Sequence, residues 1–315
     1  MSPKPFLHEQ IDFKDLLLVV SEREGILPQL IEKDYWLMHS LWALDNQGLK
    51  FELKGGTSLS KGWKIIERFS EDVDIKILPP TEMDVPTGKN QSKPKHREKR
   101  EKFFDWLEAT IQVPGTVGIK RDAMFDDHDL RNAGLRINYP TLFPSPGIMK
   151  EGILLEVGFD ITAPNESLLI SSWAYDFAIS AKLDLEDNRA RGVPCYFPEY
   201  TLVEKLSAIS KKYRQEVAGN DVLNFTRHYY DVYQLLGQQR VQDFIGTKSY
   251  YQHKERRFQQ SDVANIAINP AFTLSDPAIR KRYDDRYKSS ADLYFSGQPP
   301  LEAIIERIQK NASKL

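Results

Sequence analysis

Lys54-Gly-Gly-Thr-Ser-Leu-Ser-Lys-Gly-Trp-Lys-Ile-Ile-Glu-Arg-Phe-Ser-Glu-Asp-Val-Asp-Ile-Lys-Ile-Leu78 is the stretch around which the chain is organised. Lys50 to Leu53, just before it, reads as a short strand, broken at Gly55-Gly56, where a Cβ would stop the backbone approaching a ligand. Thr57 and Ser58 then open a helix, where hydroxyls can cap orphan N–H groups and the positive end of the dipole suits phosphate. From Asp72 to Leu78 the pattern alternates. Val73, Ile75 and Ile77 fall on one face and Asp72 and Asp74 on the other, because strand side chains have a period of two. Two carboxylates on one face can share a hard cation such as Mg²⁺ or Mn²⁺, and Mg²⁺ is usually held by one or two carboxylates together with substrate phosphates. Lying fourteen residues after Ser58, Asp72 couples the acids to the glycine turn, and the combination points to a nucleoside triphosphate.

The 315 residues suffice for one large domain or two ordinary ones, and 41% hydrophobic content can furnish a core. No apolar run approaches the ~20 residues that span a bilayer, and Met1-Ser-Pro-Lys-Pro lacks the apolar core of a signal peptide. The single cysteine, Cys195, cannot form an internal disulfide and has no base-like neighbour in sequence, so it reads as a core or loop residue. These features predict a cytoplasmic protein with no membrane partner.

Pro28 begins an amphipathic helix in which Leu30, Ile31, Asp34, Tyr35, Met38, Leu41 and Trp42 recur on a buried stripe, with Glu32, Lys33 and Asp34 as charged residues that could brace the glycine turn. A shorter helix precedes it, at residues 12 to 20. Pro79 to Pro94 reads as a loop, Lys95 to Gln112 as a helix, and Thr116 to Lys120, Leu135 to Tyr139 and Ile153 to Phe159 as strands, with Pro140, Pro144 and Pro146 between the last two. The last strand sets Glu156 and Asp160 opposite Ile153, Leu155, Val157 and Phe159, which makes a third acid available. Residues 166 to 185 are of mixed character, and Asp187 to Pro198 reads as a polar loop. Helices follow from about Leu202, from Asp221 to Leu236 and from Leu301 to Lys310. The second of these sets Arg227 and Asp231 at ion-pair spacing, with His228 between them as a surface residue or, alternatively, a titrating general base.

Gly-Gly-Thr-Ser-Leu-Ser-Lys61 followed by Arg68-Phe-Ser-Glu-Asp-Val-Asp74 resembles the AbiEii/AbiGii-type nucleotidyltransferase toxins of bacteria, a branch of the DNA polymerase β-like superfamily. The likeness takes in Ile31-Glu-Lys-Asp-Tyr-Trp36, Glu204-Lys205 and Arg227-His-Tyr-Tyr-Asp231, and so covers roughly residues 28 to 236. It implies an α/β (α+β) fold: a polymerase β-like core with a mixed central sheet in residues 1–165, then a mainly helical region in 166–315 that completes the active site and contacts RNA. The implied reaction moves a nucleoside monophosphate from an NTP to an RNA hydroxyl, such as the 3′ end of a tRNA, and releases pyrophosphate. The implied setting is a toxin–antitoxin or phage-defence pair, with a cognate antitoxin as partner.

The resemblance also distributes roles. Asp72 and Asp74 hold Mg²⁺ or Mn²⁺, and Glu156, with Asp160 in reserve, holds a second metal or acts on the incoming hydroxyl; Gly55, Gly56, Thr57 and Ser58 meet the phosphates, and Ser70, two residues before Asp72 on the same strand face, can touch them too. Lys205 stabilises the leaving pyrophosphate. Asp231 either orients Lys205 or accepts a proton from the attacking hydroxyl. Net charge is only −2, but positive charge clusters in Lys89 to Lys102, in Lys254, Arg256 and Arg257, and in Arg280, Lys281, Arg282, Arg286 and Lys288. Beside this motif such runs favour RNA phosphate contacts, and Tyr250, Tyr251, Tyr283, Tyr287 and Tyr294 among them offer either stacking or helix packing. Two other readings are open: an NTP- and RNA-binding regulatory protein without turnover, and γ-phosphoryl transfer to a protein.

Overall fold

The computed structural model describes residues 3–144, 150–220, 222 and 225–315. They form two compact units, Met1–Trp63 with Phe69–Tyr196, and Lys64–Arg68 with Phe197–Leu315. The first contains α1 (Phe13–Glu24), α2 (Pro28–Asn46), β1 (Lys50–Lys54), α3 (Gly55–Thr57), β2 (Asp72–Leu78), α4 (Pro94–Thr110), β3 (Gly118–Asp122), β4 (Asn132–Asn138), β5 (Ile153–Gly158), β6 (Asn165–Ile170), α5 (Trp173–Ser180) and β7 (Ala190–Tyr196). Its strands make one mixed sheet in the order β3-β4-β5-β2-β1-β7-β6.

The alternating strand β2 lies at the centre of that sheet, antiparallel to β1 and parallel to β5. Val73, Ile75 and Ile77 are buried, as are Phe51 and Leu53 on β1 and Leu155 and Val157 on β5. Burying a side chain of this size contributes about 1.5–3 kcal/mol, which locks the register and so commits both aspartates to the opposite face.

Helix α2 departs from the one-sided pattern. Glu32, Lys33 and Asp34 are at most 1% exposed, so the charged face is internal. Each has a partner, as buried charge requires. The Glu32 carboxylate accepts from the Leu142 and Phe143 N–H groups at 2.8 and 3.4 Å, and Lys33 Nζ donates to the Lys150 carbonyl at 2.6 Å. Asp34 pairs with Lys61 at 2.7 Å and accepts from the Trp173 N–H at 3.0 Å. Lys61 follows the glycine turn and also lies 4.0 Å from the Trp173 ring centroid, so Asp34 does brace that turn.

Residues 165–196, without assigned elements in the sequence or read as loop, are β6, α5 and β7. Strand β7 runs parallel to β1 through Leu53↔Cys195 and antiparallel to β6, with Val193, Cys195 and Tyr196 buried. Sheet pairing overrides the local loop signals of Gly192 and Pro194. The sheet unit therefore ends after Tyr196 rather than at 165, because its last two strands complete the same sheet.

The second unit comprises α6 (Pro198–Val217), α7 (Arg227–Leu235), α8 (Gln239–Phe244), α9 (Lys248–Arg257), α10 (Pro270–Thr273), α11 (Pro277–Lys288) and α12 (Leu301–Asn311). Asp221, the expected start of the second helix, and Pro146 lie outside the described residues. Tyr250, Tyr283, Tyr287 and Tyr294 are buried among these helices, which assigns them to packing, while Tyr251 is exposed. Many side chains of the basic runs have partners within the unit in which they lie. Arg100 is buried and donates to the Pro86, Gln91 and Asp129 carbonyls, Arg257 pairs with Glu204, Arg282 and Arg286 share Glu216, and Lys281 and Lys288 pair with Asp285 and Asp284. Among the described residues, no helix is long and apolar enough to cross a membrane.

Candidate active site

The glycine turn is built against the acidic strand. Gly55 has φ +69°, and a Cβ placed there would lie 2.1 Å from Asp74 Oδ2, so only glycine lets the carboxylate rest against the turn. Helix α3 starts at Gly55 itself and continues as one π-helical turn, Ser58–Gly62, without a side-chain cap. The hydroxyls therefore do not cap the helix. Thr57 Oγ1 is buried and donates to the Asp72 carbonyl at 2.8 Å, tying turn to strand, and Ser58 is buried against Cys195, whose thiol burial pushes up to about 12. Ser70 precedes β2, whose pairing begins at Asp72↔Leu154, so it does not share the strand face with Asp72.

Three carboxylates share one region of the sheet. Asp74 lies directly opposite Glu156 across the parallel β2–β5 pair, with Asp72 two residues earlier on the same face. Burial, and then the charges of Asp74 and Asp72, raise Glu156 to about 7, with Lys150 and Lys54 opposing. Asp160 stands aside, 3.9 Å from Lys54 Nζ. Lys150 Nζ contacts both Asp72 oxygens, at 3.1 and 3.0 Å. An ammonium thus already sits where a hard cation would bind. Among the described residues no group of three or more His, Cys, Asp or Glu side chains is placed to hold a metal ion, so Glu156 does not join Asp72 and Asp74 as a third ligand in this arrangement. The donor set fits a metal whose shell is completed by substrate phosphates, since it offers hard oxygens from Asp72 and Asp74 with Glu156 adjacent.

The second unit holds a separate charged cluster. Asp231 on α7 is fully buried and pairs with Lys205 Nζ on α6 at 3.0 Å and with Arg68 at 2.7 Å. Burial disfavours its ionisation, but Arg68 and Lys205 outweigh that and hold the carboxyl well below its usual range. His228 is partly buried, its side chain 18% exposed. Burial, and then the Lys205 ammonium, hold it well below the ordinary imidazole range, so its neutral Nδ1 accepts from Lys205 Nζ at 3.2 Å. The sequence motifs contain Lys205 and Asp231 but no sign that Arg68 meets them. Nothing in the sequence singled out Lys150 either, for it lies in the proline-punctuated stretch between two strands and belongs to no motif.

The Gly-Gly turn, the two-aspartate strand and the mixed sheet together define a nucleotidyltransferase. The chain belongs to the AbiEii family: the model described as "Nucleotidyl transferase AbiEii toxin, Type IV TA system" matches residues 36–307. That match runs well past Leu236, where the recognisable motifs end, into α12. No match was found among curated proteins. Solved structures with some likeness include an antigenic nucleotidyltransferase-like protein from Paracoccidioides brasiliensis, at 13% identity over 74% of this chain and 95% of that one, TM-score 0.36. Terminal uridylyl transferase 4 from Trypanosoma brucei with bound dUTP is 12% identical over 95% and 98% of the two chains, TM-score 0.32. The same enzyme with bound CTP gives 12% over 71% and 58%, TM-score 0.28.

Proposed function

We propose that the protein transfers a nucleoside monophosphate from an NTP to an RNA hydroxyl, with the 3′ end of tRNA as acceptor and with Mg²⁺, as the toxin of a toxin–antitoxin pair. The observation that carries this reading is the placement of Asp72, Asp74 and Glu156 on adjacent central strands, with Gly55 against Asp74. Held by Asp72 and Asp74, a divalent cation supplies charge neutralisation at the transferred phosphate. Gly55 and Gly56 offer backbone N–H groups to the phosphates. Glu156, directly opposite Asp74 on the adjacent strand, takes the proton of the attacking hydroxyl as the new O–P bond forms and pyrophosphate departs. Lys205 is the cation for the departing charge, and Asp231 is its positioning residue, since a doubly paired buried carboxylate is a poor base. The RNA acceptor is supported by the family pattern and by the exposed Lys89, Lys93 and Lys95.

The test is incubation with Mg²⁺, total cellular RNA and each α-³²P-labelled NTP separately, beside Asp72→Asn. Label in a tRNA-sized band with wild type alone is the expected result. Release of nucleoside diphosphate in place of pyrophosphate would instead establish γ-phosphoryl transfer, and Mg²⁺-dependent NTP binding without either product would establish a binding protein. In cells, expression without its antitoxin should arrest growth, and Asp72→Asn should relieve the arrest.

A further inference from the structure

We propose that Lys150 is a resident counter-ion of the metal site. Its ammonium occupies the Asp72 carboxylate in the metal-free protein and is released when a divalent cation takes those oxygens, which leaves a positive charge beside a bound triphosphate. This rests on Asp72 and Asp74 being the metal-binding pair.

The geometry separates a fixed backbone from a movable head. The Lys150 N–H donates to Glu71 Oε1 at 3.1 Å, and its carbonyl accepts from the buried Lys33 Nζ at 2.6 Å, so the main chain is anchored on both sides of its Cα. The side chain is 33% exposed and its Nζ lies 4.8 Å from the Phe125 ring centroid, so the ammonium has room to leave Asp72 and an aromatic face beside it. Lys61–Asp34, in the same unit, shows the other kind of pair: side chains 13% and 0% exposed, with both groups locked under the turn.

Charge balance supplies the reason for the arrangement. Asp72, Asp74 and Glu156 crowd three acids onto one face of two adjacent strands, and Lys150, on both Asp72 oxygens, offsets part of their mutual repulsion. A metal does the same task at closer range and through the same Asp72 lone pairs. Ammonium and metal therefore exclude one another, and the released lysine meets the anion that arrives with the metal.

The experiment measures Mn²⁺ binding directly, by electron paramagnetic resonance, on the whole chain without nucleotide. Lys150→Met should bind Mn²⁺ about threefold tighter or more than wild type, as expected for loss of a competing, partly exposed ion pair, whereas Lys150→Arg should bind no tighter. In parallel, acetylation of Lys150 by acetic anhydride, followed by mass spectrometry, should speed up on adding Mn²⁺ to wild type but not to Asp72→Asn. Wild-type or weaker affinity in Lys150→Met, or Lys150 labelling indifferent to saturating Mn²⁺, overturns the counter-ion role while Asp72 remains a ligand. Undiminished Mn²⁺ affinity in Asp72→Asn overturns the metal site itself, and the counter-ion role with it.

Discussion

Arg68 grips Asp231 through two parallel hydrogen bonds, Nε to Oδ1 and Nη2 to Oδ2, each 2.7 Å, with the guanidinium side chain only 3% exposed. The fork fixes the carboxylate plane, and Oδ2 then faces Lys205 Nζ at 3.0 Å. Removing one partner of a buried pair leaves its charge under-compensated, so Arg68→Ala should cost about 3–5 kcal/mol. Arg68→Lys should recover only part of that, because a point charge cannot make the fork. Urea unfolding of the two variants beside wild type measures both.

Lys205 should separate catalysis from stability. Its loss leaves Asp231 still paired with Arg68, so Lys205→Met should fold with a stability within about 1–2 kcal/mol of wild type. The rate of nucleotidyl transfer should fall on the order of a hundredfold or more if the ammonium meets developing charge. A fall in kcat with little change in KM for the NTP is the expected signature, read in the radiolabel assay.

Two glycines with nearly equal φ should respond differently to alanine. Gly55 has φ +69° with Asp74 Oδ2 2.1 Å from the added Cβ, whereas Gly25 has φ +67° and open space. Both substitutions should cost about 1–2 kcal/mol of backbone strain. Only Gly55→Ala should also displace the Asp74 carboxylate and abolish transfer. Thermal unfolding and the radiolabel assay, run on both variants, test the contrast.

Acid should destabilise the first unit through His39. This ring is buried in α2, with Nε2 3.0 Å from the Pro114 carbonyl and Nδ1 2.8 Å from Asn188 Nδ2, a network that suits the neutral form. Burial, then the neighbouring His8, lower its pKa to about 3. The unfolded chain binds a proton near 6.5 and the folded one does not, so this contribution is intact above that pH and is lost as pH falls towards 3. The slope approaches about 1.4 kcal/mol per pH unit. Urea unfolding at pH 7 and pH 5 should show the loss in wild type and a smaller loss in His39→Gln.

Much of the sheet was legible because its signals are local. Alternation marked β2 and β5 and put Asp72, Asp74 and Glu156 on their polar faces; the glycine break marked the turn. Strands β6 and β7 were not legible, since β7 carries Gly192 and Pro194 and takes its conformation from pairing with β1 and β6. The charge of α2 was visible but its burial was not. Periodicity shows which residues share a face, and the partners that let Glu32, Lys33 and Asp34 be buried come from far along the chain.

The sequence by itself determined the enzyme class, the family and the central acids, because a Gly-Gly turn and an alternating acidic strand are written in consecutive residues. Only the tertiary structure decided that Thr57 ties the turn to β2, that Lys150 lies on Asp72, and that Arg68 closes on Asp231. Each of these is a side-chain contact between segments that are far apart in sequence or that a turn must bring together. Its energy depends on distance and burial, and neither exists until the chain has folded.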